Sequence, residues 1–158
     1  MTAEKIELFL HISGAFMIVG GTIALSLLYA AMRRTKDAVQ LELLLRLAGR
    51  TSMITLPGAL VAIITGSMLA MTLGLNFGAQ WLSTSYTLWF ISVALSAAVM
   101  GPALSAARAL AVSELAAGKR ESEAVADAIA ATKIRLVVRY LEISLLLFLY
   151  LMVFKPGA

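Results

Sequence analysis

The single histidine of the chain, His11, lies near the start of a long apolar segment, in the stretch LFLHISGAFMIVGG at residues 8–21. A neutral imidazole can bind a metal or a haem iron through one ring nitrogen while the other nitrogen makes a hydrogen bond. Glu7 lies four residues earlier, on the same face of a helix, where its carboxylate could fix the tautomer of the ring. The alternative is a half-solvated histidine at a membrane interface that hydrogen-bonds to Glu7.

Methionine and tyrosine side chains are expected in the same layer as His11. If His11 binds a haem, Met71 and Met152 are candidate second axial ligands and Tyr86 is a candidate contact of the cofactor. Thioether sulfur also suits Cu(I), so His11 with Met71 is a candidate copper site. Methionine is equally an ordinary residue of membrane cores, so plain packing remains the competing interpretation.

Glu142 is the other unusual residue, because it is an acid within the fourth apolar segment. A carboxylate there needs a partner, and the candidates are Arg139, three residues earlier, and Arg108 near the end of the third segment. We expect a structural ion pair. A proton relay is disfavoured because none of the other apolar segments contains an acid that could continue it.

The sequence lacks the residues that several kinds of site and catalytic mechanism require. The chain has no cysteine, which excludes disulfides, thiolate metal sites and covalent haem attachment. It also has no second histidine, no HExxH motif, no phosphate-binding loop and no Gly-x-Ser-x-Gly motif. The sequence therefore offers no complete catalytic set, and whether the protein is an enzyme stays open.

The composition indicates a membrane protein. Of the 158 residues, 61% are hydrophobic and only 14% are charged, whereas soluble domains are about half apolar and a quarter charged. A helix needs about 20 largely apolar residues to cross a bilayer. Four segments meet this need: 8–32, 53–75, 81–104 and 137–154. We therefore predict an all-α membrane protein, with residues 1–158 forming a single four-transmembrane-helix bundle.

The positions of the basic residues predict the orientation. Eleven of the thirteen lie in the two long links, 33–52 and 105–136, or at the adjoining start of the fourth segment: Arg33, Arg34, Lys36, Arg46, Arg50, Arg108, Lys119, Arg120, Lys133, Arg135 and Arg139. Lysine and arginine in short links mark the cytoplasmic side. Both termini are thus expected outside in a multi-pass membrane protein, and the positive charge does not indicate nucleic-acid binding.

The links themselves have helical patterns, so helices 2–4 are expected to extend on the cytoplasmic side. Val39, Leu43, Leu44 and Leu47 share one face of a helix. Gly118 marks a helix end, and Ser122 can cap the helical pattern that follows it. These extensions support a second hypothesis from another class, in which a non-enzymatic bundle binds a membrane-protein partner, a lipid or a hydrophobic small molecule.

Three stretches also resemble a known family: LHISGAFMIVGG, LPGALVAIITG and WLSTSYTLWFISVALSAAVMGPALSAARAL. They are similar to a bacterial family of predicted integral membrane proteins of unknown function, domain-of-unknown-function family 2269, over most of the chain. The resemblance implies a multi-pass protein of the bacterial inner (cytoplasmic) membrane. A histidine followed by small residues in helix 1 more distantly resembles the copper-resistance D proteins and the J-type membrane protoporphyrinogen oxidase.

The distant resemblances carry their own implications. The oxidase resemblance implies haem b at His11, and His11 is the one position that transfers. Those proteins also use a lysine later in the chain, whereas here no lysine lies within an apolar segment. The copper-resistance proteins have about twice as many helices, which implies a homodimer of this unit.

Overall fold

A computed structural model describes residues 2–157, and this part of the chain is helical with no strand. The helices are α1 (Ala3–Met32), α2 (Ala38–Thr72), α3 (Gln80–Leu95), α4 (Gly101–Ala116), α5 (Glu123–Ala130) and α6 (Thr132–Phe154). One π-helical turn, Ser96–Met100, joins α3 to α4, so that these form one continuous helix. Four helices are long and apolar enough to cross a membrane, namely α1, α2, α3–α4 and α6. The predicted all-α fold with four candidate spans is confirmed.

The helices are longer than the apolar segments. Helix α2 has 35 residues, which corresponds to about 50 Å at 1.5 Å per residue, against a hydrocarbon core of about 30 Å. It begins at Ala38 because Asp37 caps it, accepting a hydrogen bond from the Gln40 amide at 2.8 Å. Most of the link 33–52 is therefore part of a long helix.

The second link contains the two helix ends that the sequence indicates. Gly118 has a φ of +76°, which glycine adopts without strain, and it follows the end of α4. The Ser122 hydroxyl caps α5 by accepting a hydrogen bond from the Val125 amide at 3.2 Å. The helical pattern after Ser122 is nevertheless interrupted, because Ala131 has an extended ψ of 133° and separates α5 from α6.

The two links contact each other at one end of the bundle, which we call the basic end. The Ala38 amide donates to the Arg120 carbonyl at 2.8 Å, and the Ser122 amide donates to the Lys36 carbonyl at 3.0 Å. Lys36 Nζ also lies 2.7 Å from Glu123 Oε1. This hydrogen-bonded ion pair raises the pKa of Lys36 and lowers that of Glu123. Both side chains are exposed, and an exposed ion pair adds little stability, so the main-chain contacts matter more for joining the links.

The largest buried cluster also lies at the basic end, where side chains of α1, α2, α4, α5 and α6 meet. Its most buried large members are Met32, Leu41, Leu45, Ile129, Ile134 and Val125. The apolar face that the sequence indicates on α2 is largely exposed, at Val39, Leu43 and Leu47. Leu44 packs partly against the cluster. This part of α2 has apolar side chains on two faces, and contact with α4 and α5 buries the face that contains Leu41 and Leu45.

Helices α1 and α2 pack most closely where two glycines face each other. A Cβ on Gly14 would lie 2.7 Å from the Ala62 nitrogen and 2.8 Å from the Gly58 carbonyl oxygen. A Cβ on Gly58 would lie 2.5 Å from the Met17 Cβ. Small residues of this kind let helix backbones approach closely in lipid, where the hydrophobic effect does not drive helix association.

This contact gives a test of the fold. Gly14→Ala places a methyl group against main-chain atoms that cannot move independently, so we expect the free energy of unfolding in detergent to fall by about 1–3 kcal/mol. Gly20→Ala is the matched control on the same helix, because nothing lies within 4 Å of its added Cβ. Equal stabilities of the two variants would contradict the close packing of α1 against α2.

Candidate functional site

A cavity of about 620 Å³ lies at the end of the bundle opposite the basic end, between α1, α2, α3 and α6. We call this end the histidine end and the cavity the histidine cavity, because His11 lines it. Helix α2 packs against α4 near the basic end, but α2 and α3 diverge toward the histidine end. Long side chains cross the gap there, as where Trp89 Nε1 donates to the Ala59 carbonyl at 3.1 Å. The divergence of the helices creates the cavity.

The cavity is open on one side. Phe16 of α1 and Leu149 of α6 both line it, yet they are 74% and 64% exposed. Trp81 and Leu82 of α3, which also line it, are buried. The opening therefore lies between α1 and α6, on a surface that faces lipid when the four helices span a bilayer. A hydrophobic molecule could enter here without passing through water.

The His11 ring is held against the main chain of α2. Its Nδ1 lies 2.8 Å from the Ala62 carbonyl oxygen. A carbonyl can only accept, so Nδ1 carries the proton and Nε2 of the neutral ring keeps its lone pair. Gly66 makes room for the ring, since a Cβ there would lie 2.8 Å from both Cε1 and Nδ1. His11 thus presents an acceptor nitrogen at the cavity.

The hydroxyl and indole groups of the cavity also donate their protons within the protein. The Ser67 hydroxyl donates to the Ile63 carbonyl at 2.7 Å, so the Tyr86 hydroxyl, 2.7 Å from Ser67 Oγ, must be the donor of that second bond. Ser85 donates to a carbonyl of α3, and Trp89 donates to a carbonyl of α2. What remains toward the cavity is a set of oxygen lone pairs beside the His11 nitrogen.

A positive charge lies at the rim of the cavity. Lys155 follows the last residue of α6 in a left-handed conformation, with φ 45°, and it lines the cavity. Its Nζ lies 5.6 Å from the centre of the Trp81 ring, a distance that permits a cation–π contact. Lys155 is thus the nearest cationic donor to a polar group that protrudes from the cavity.

Glu7 has a different partner from the one the sequence indicates. Its carboxylate accepts a hydrogen bond from the Thr72 hydroxyl at 2.9 Å, in the last turn of α2. The proton of His11 instead goes to Ala62, because α1 packs so closely on α2 that the ring reaches the main chain. The tautomer of His11 is therefore fixed by a carbonyl and not by the neighbouring acid.

The structure brings some of the candidate ligands together and separates one. Tyr86 and Met152 line the histidine cavity together with His11. Met71 does not line it and is 71% exposed on the outer surface of α2. A second axial ligand or a copper ligand from Met71 is therefore not assembled next to His11. Residues 2–157 also contain no cluster of three or more histidine and acidic side chains that could hold a metal.

The acid of α6 lies away from this site. Arg139 Nη1 is 2.7 Å from Glu142 Oε2, so the structure pairs Glu142 with its neighbour on the same helix. Arg108 pairs instead with Glu42, at 3.1 Å. Both pairs are accessible to solvent or headgroups, and the Glu142 side chain is 32% exposed. Partial exposure lowers the free-energy cost of removing these charges from water. It also weakens the attraction within each pair, so the pairs contribute little to stability.

Sequence reasoning missed Ala62, Gly66 and Ser67, which form the α2 side of the site. The available signal was the pair Gly66–Ser67, a residue with no side chain followed by a small polar one inside an otherwise apolar helix. Small residues in membrane helices usually mark helix contacts. Here Gly66 and Ser67 contact the imidazole ring of His11 and the Tyr86 hydroxyl. This depends on the rotation of α1 about its axis, and the sequence pattern does not specify that rotation.

The comparisons with known proteins agree with the membrane fold. A family model described as "Predicted integral membrane protein (DUF2269)" matches residues 6–156. Neither the curated proteins nor the solved structures contain a significant match. The match covers all four long helices almost completely, including His11 and the α2 side of its cavity.

The contact between His11 and α2 is directly testable. In wild type we expect the ¹⁵N spectrum of His11 to show the Nδ1-protonated tautomer, because Ala62 offers only an acceptor. Gly66→Ala should push the ring off this carbonyl and give a mixed tautomer signal, whereas Gly49→Ala, with nothing within 4 Å of the added Cβ, should leave the spectrum unchanged. An Nε2-protonated wild type would contradict the assignment.

Proposed function

The chain belongs to the DUF2269 family of predicted integral membrane proteins, and we propose that it binds a hydrophobic small molecule from the bilayer in the histidine cavity. The observation that carries this proposal is the 2.8 Å hydrogen bond from His11 Nδ1 to the Ala62 carbonyl. It leaves Nε2 as an acceptor in an apolar cavity. An acceptor without a partner in such surroundings costs free energy, which a ligand can recover.

The polar chemistry of the cavity selects the ligand. Because Ser67, Tyr86, Ser85 and Trp89 already donate their protons within the protein, the cavity offers lone pairs. A matching ligand has an O–H or N–H donor, or a Lewis-acidic metal, at its polar end. The body of the ligand is apolar, since leucine, isoleucine, phenylalanine and tryptophan form most of the walls.

The size and opening of the cavity fit such a molecule. Small-molecule sites have volumes of about 300–1,000 Å³, and this cavity has about 620 Å³. Its open side between α1 and α6 admits a ligand that is dissolved in lipid. Lys155 at the rim supports an interaction with a polar or anionic substituent that projects beyond the cavity.

A matched pair of lipophilic compounds tests the proposal. We expect 4-octylphenol, whose O–H can donate to His11 Nε2, to raise the unfolding temperature of the detergent-solubilised protein. Its methyl ether, which lacks the donor, should raise the temperature much less. Ligand binding stabilises by RT ln(1 + [L]/Kd), which is about 2.7 kcal/mol at a ligand concentration of 100 Kd.

Two variants complete this experiment. His11→Phe keeps a ring in place but removes the acceptor, so the phenol and the ether should become equivalent. Met71→Leu is the control, because Met71 is exposed and does not line the cavity. The proposal fails if the phenol and ether act equally on wild type, or if His11→Phe preserves their difference.

Haem b is a second candidate ligand, favoured by one specific feature. A metal-bound histidine almost always donates its other N–H to a carbonyl or carboxylate, and His11 donates Nδ1–H to Ala62. The residues present fit a haem held by His11 Nε2, with Met152 and Tyr86 on the cavity wall. When bound, such a group would supply one-electron redox chemistry. The protein's part is to orient the imidazole and to surround the macrocycle with apolar side chains.

An absorption spectrum separates haem from other ligands. If haem is the ligand, purified wild type should show a Soret band, His11→Ala should lose it, and Met71→Leu should retain it because that side chain lies outside the cavity. A protein that stays colourless after incubation with haemin excludes haem. That outcome leaves binding of a metal-free amphiphile to be decided by the phenol experiment.

We further propose that the histidine end faces outside and the basic end faces the cytoplasm. Support comes from the eleven basic residues in and next to the two links, which would otherwise have to cross the membrane. The links are hydrogen-bonded to each other, so their charges lie on the same side.

Cysteine labelling in intact cells tests this orientation, and the chain has no cysteine of its own. Ala79→Cys lies in the turn before α3 and should react with an impermeant thiol reagent added from outside. Ala124→Cys is exposed in α5 and should react only after the cells are permeabilised. The reverse pattern would overturn the proposed orientation.

A further inference from the structure

A second cavity, of about 290 Å³, adjoins the histidine cavity on the side toward the basic end. The two cavities share wall residues Ile18, Trp89, Leu145 and Phe148. The second cavity is distinguished by seven hydroxyl side chains, so we call it the hydroxyl cavity: Thr22, Thr51, Ser52, Thr55, Ser92, Ser96 and Ser144. This is an unusual concentration of polar groups in the middle of four long apolar helices.

Six of the seven hydroxyls donate their proton to a carbonyl of their own helix, three or four residues earlier. Thr55, for example, donates to the Thr51 carbonyl at 2.8 Å. Serine and threonine often satisfy themselves in this way within helices. Their oxygens keep lone pairs, so these six residues can only accept hydrogen bonds from a ligand in the cavity.

Thr22 is the exception. It is 7% exposed, and its hydroxyl makes no hydrogen bond with another residue among 2–157, unlike the other threonines of the cavity. Because Thr22 lines the cavity, its hydroxyl can be reached from the cavity. Thr22 is therefore the one hydroxyl of this cavity whose proton no described residue accepts, and it can donate that proton to a ligand.

One donor beside several acceptors matches an alcohol. An alcohol O–H can donate to one of the acceptor oxygens while its own oxygen accepts from Thr22. A carboxylate would meet the lone pairs of six hydroxyls, and an ammonium group would leave the Thr22 proton without an acceptor. We propose that the hydroxyl cavity is a binding site for an aliphatic alcohol, the polar end of a small amphiphile from the bilayer.

The shape of the cavity fits a short chain. Leu25, Leu104 and Leu141 provide apolar walls, and about 290 Å³ is at the lower limit of small-molecule sites. Leu56, Ser96 and Gly101 line the cavity and are exposed, which opens it to lipid between α2 and the π-helical turn. π-Helical turns are frequent at functional sites. The site is distinct from His11 and does not depend on a ligand there.

Photoaffinity labelling locates this site directly. The detergent-solubilised protein is irradiated with an eight-carbon primary alcohol that carries a diazirine, and the adducts are mapped by mass spectrometry. Adducts are expected on peptide 49–56, which lines the hydroxyl cavity and not the histidine cavity, and excess octan-1-ol should suppress them whereas excess octane should not. Thr22→Val keeps the side-chain volume but removes the hydroxyl, so labelling should fall about fivefold to tenfold, the value of one hydrogen bond.

The controls separate this site from a loss of folding and from the histidine cavity. Thr22→Ser keeps the hydroxyl and should restore the labelling, and Thr87→Val, which removes an exposed hydroxyl of α3, should not change it. His11→Phe should also leave these adducts unchanged. Labelling that persists in Thr22→Val, or that octane and octan-1-ol suppress equally, would overturn the proposal.

Discussion

The hydrogen bond between His11 and the Ala62 carbonyl is the interaction on which the site depends. In a regular helix that carbonyl also accepts the amide of the residue four positions later, which here is Gly66. Because residue 66 is a glycine, no side chain at that position covers the Ala62 carbonyl, and the His11 ring can approach it. Close packing of α1 on α2 at Gly14 and Gly58 brings the two helices near enough. Glycines thus place an imidazole with a defined tautomer inside an apolar bundle.

The two ends of the bundle are built for different tasks. The basic end is closed by a continuous buried cluster, by α5, and by main-chain hydrogen bonds between the links. At the histidine end the helices diverge, and long side chains such as Trp89 and Tyr86 bridge the gaps. Such a division lets one half of the molecule carry most of the stability while the other half leaves space for ligands.

The helices were predictable from sequence, whereas the contacts were not. Hydropathy indicates four spans, and Ser122 and Gly118 indicate helix ends, because these signals are local. The rotation of a helix that is apolar on all sides has no comparable signal. Hence Met71 and Met152 looked equivalent although only Met152 lines the cavity. Likewise, the pattern does not tell that Leu41 is buried whereas Leu43 is exposed. The partner of His11 lies 51 residues away and follows only from the packing of α1 on α2.

Native mass spectrometry of the protein purified from its own membrane tests the central claim most directly, because it detects a bound molecule whatever the identity of that molecule. Wild type and Met71→Leu should both carry a small-molecule adduct that has a hydrogen-bond donor or a metal at its polar end. The adduct should be absent from His11→Phe purified in parallel. A wild-type protein without any adduct, or an adduct that His11→Phe retains in equal amount, would contradict a ligand site organised by His11.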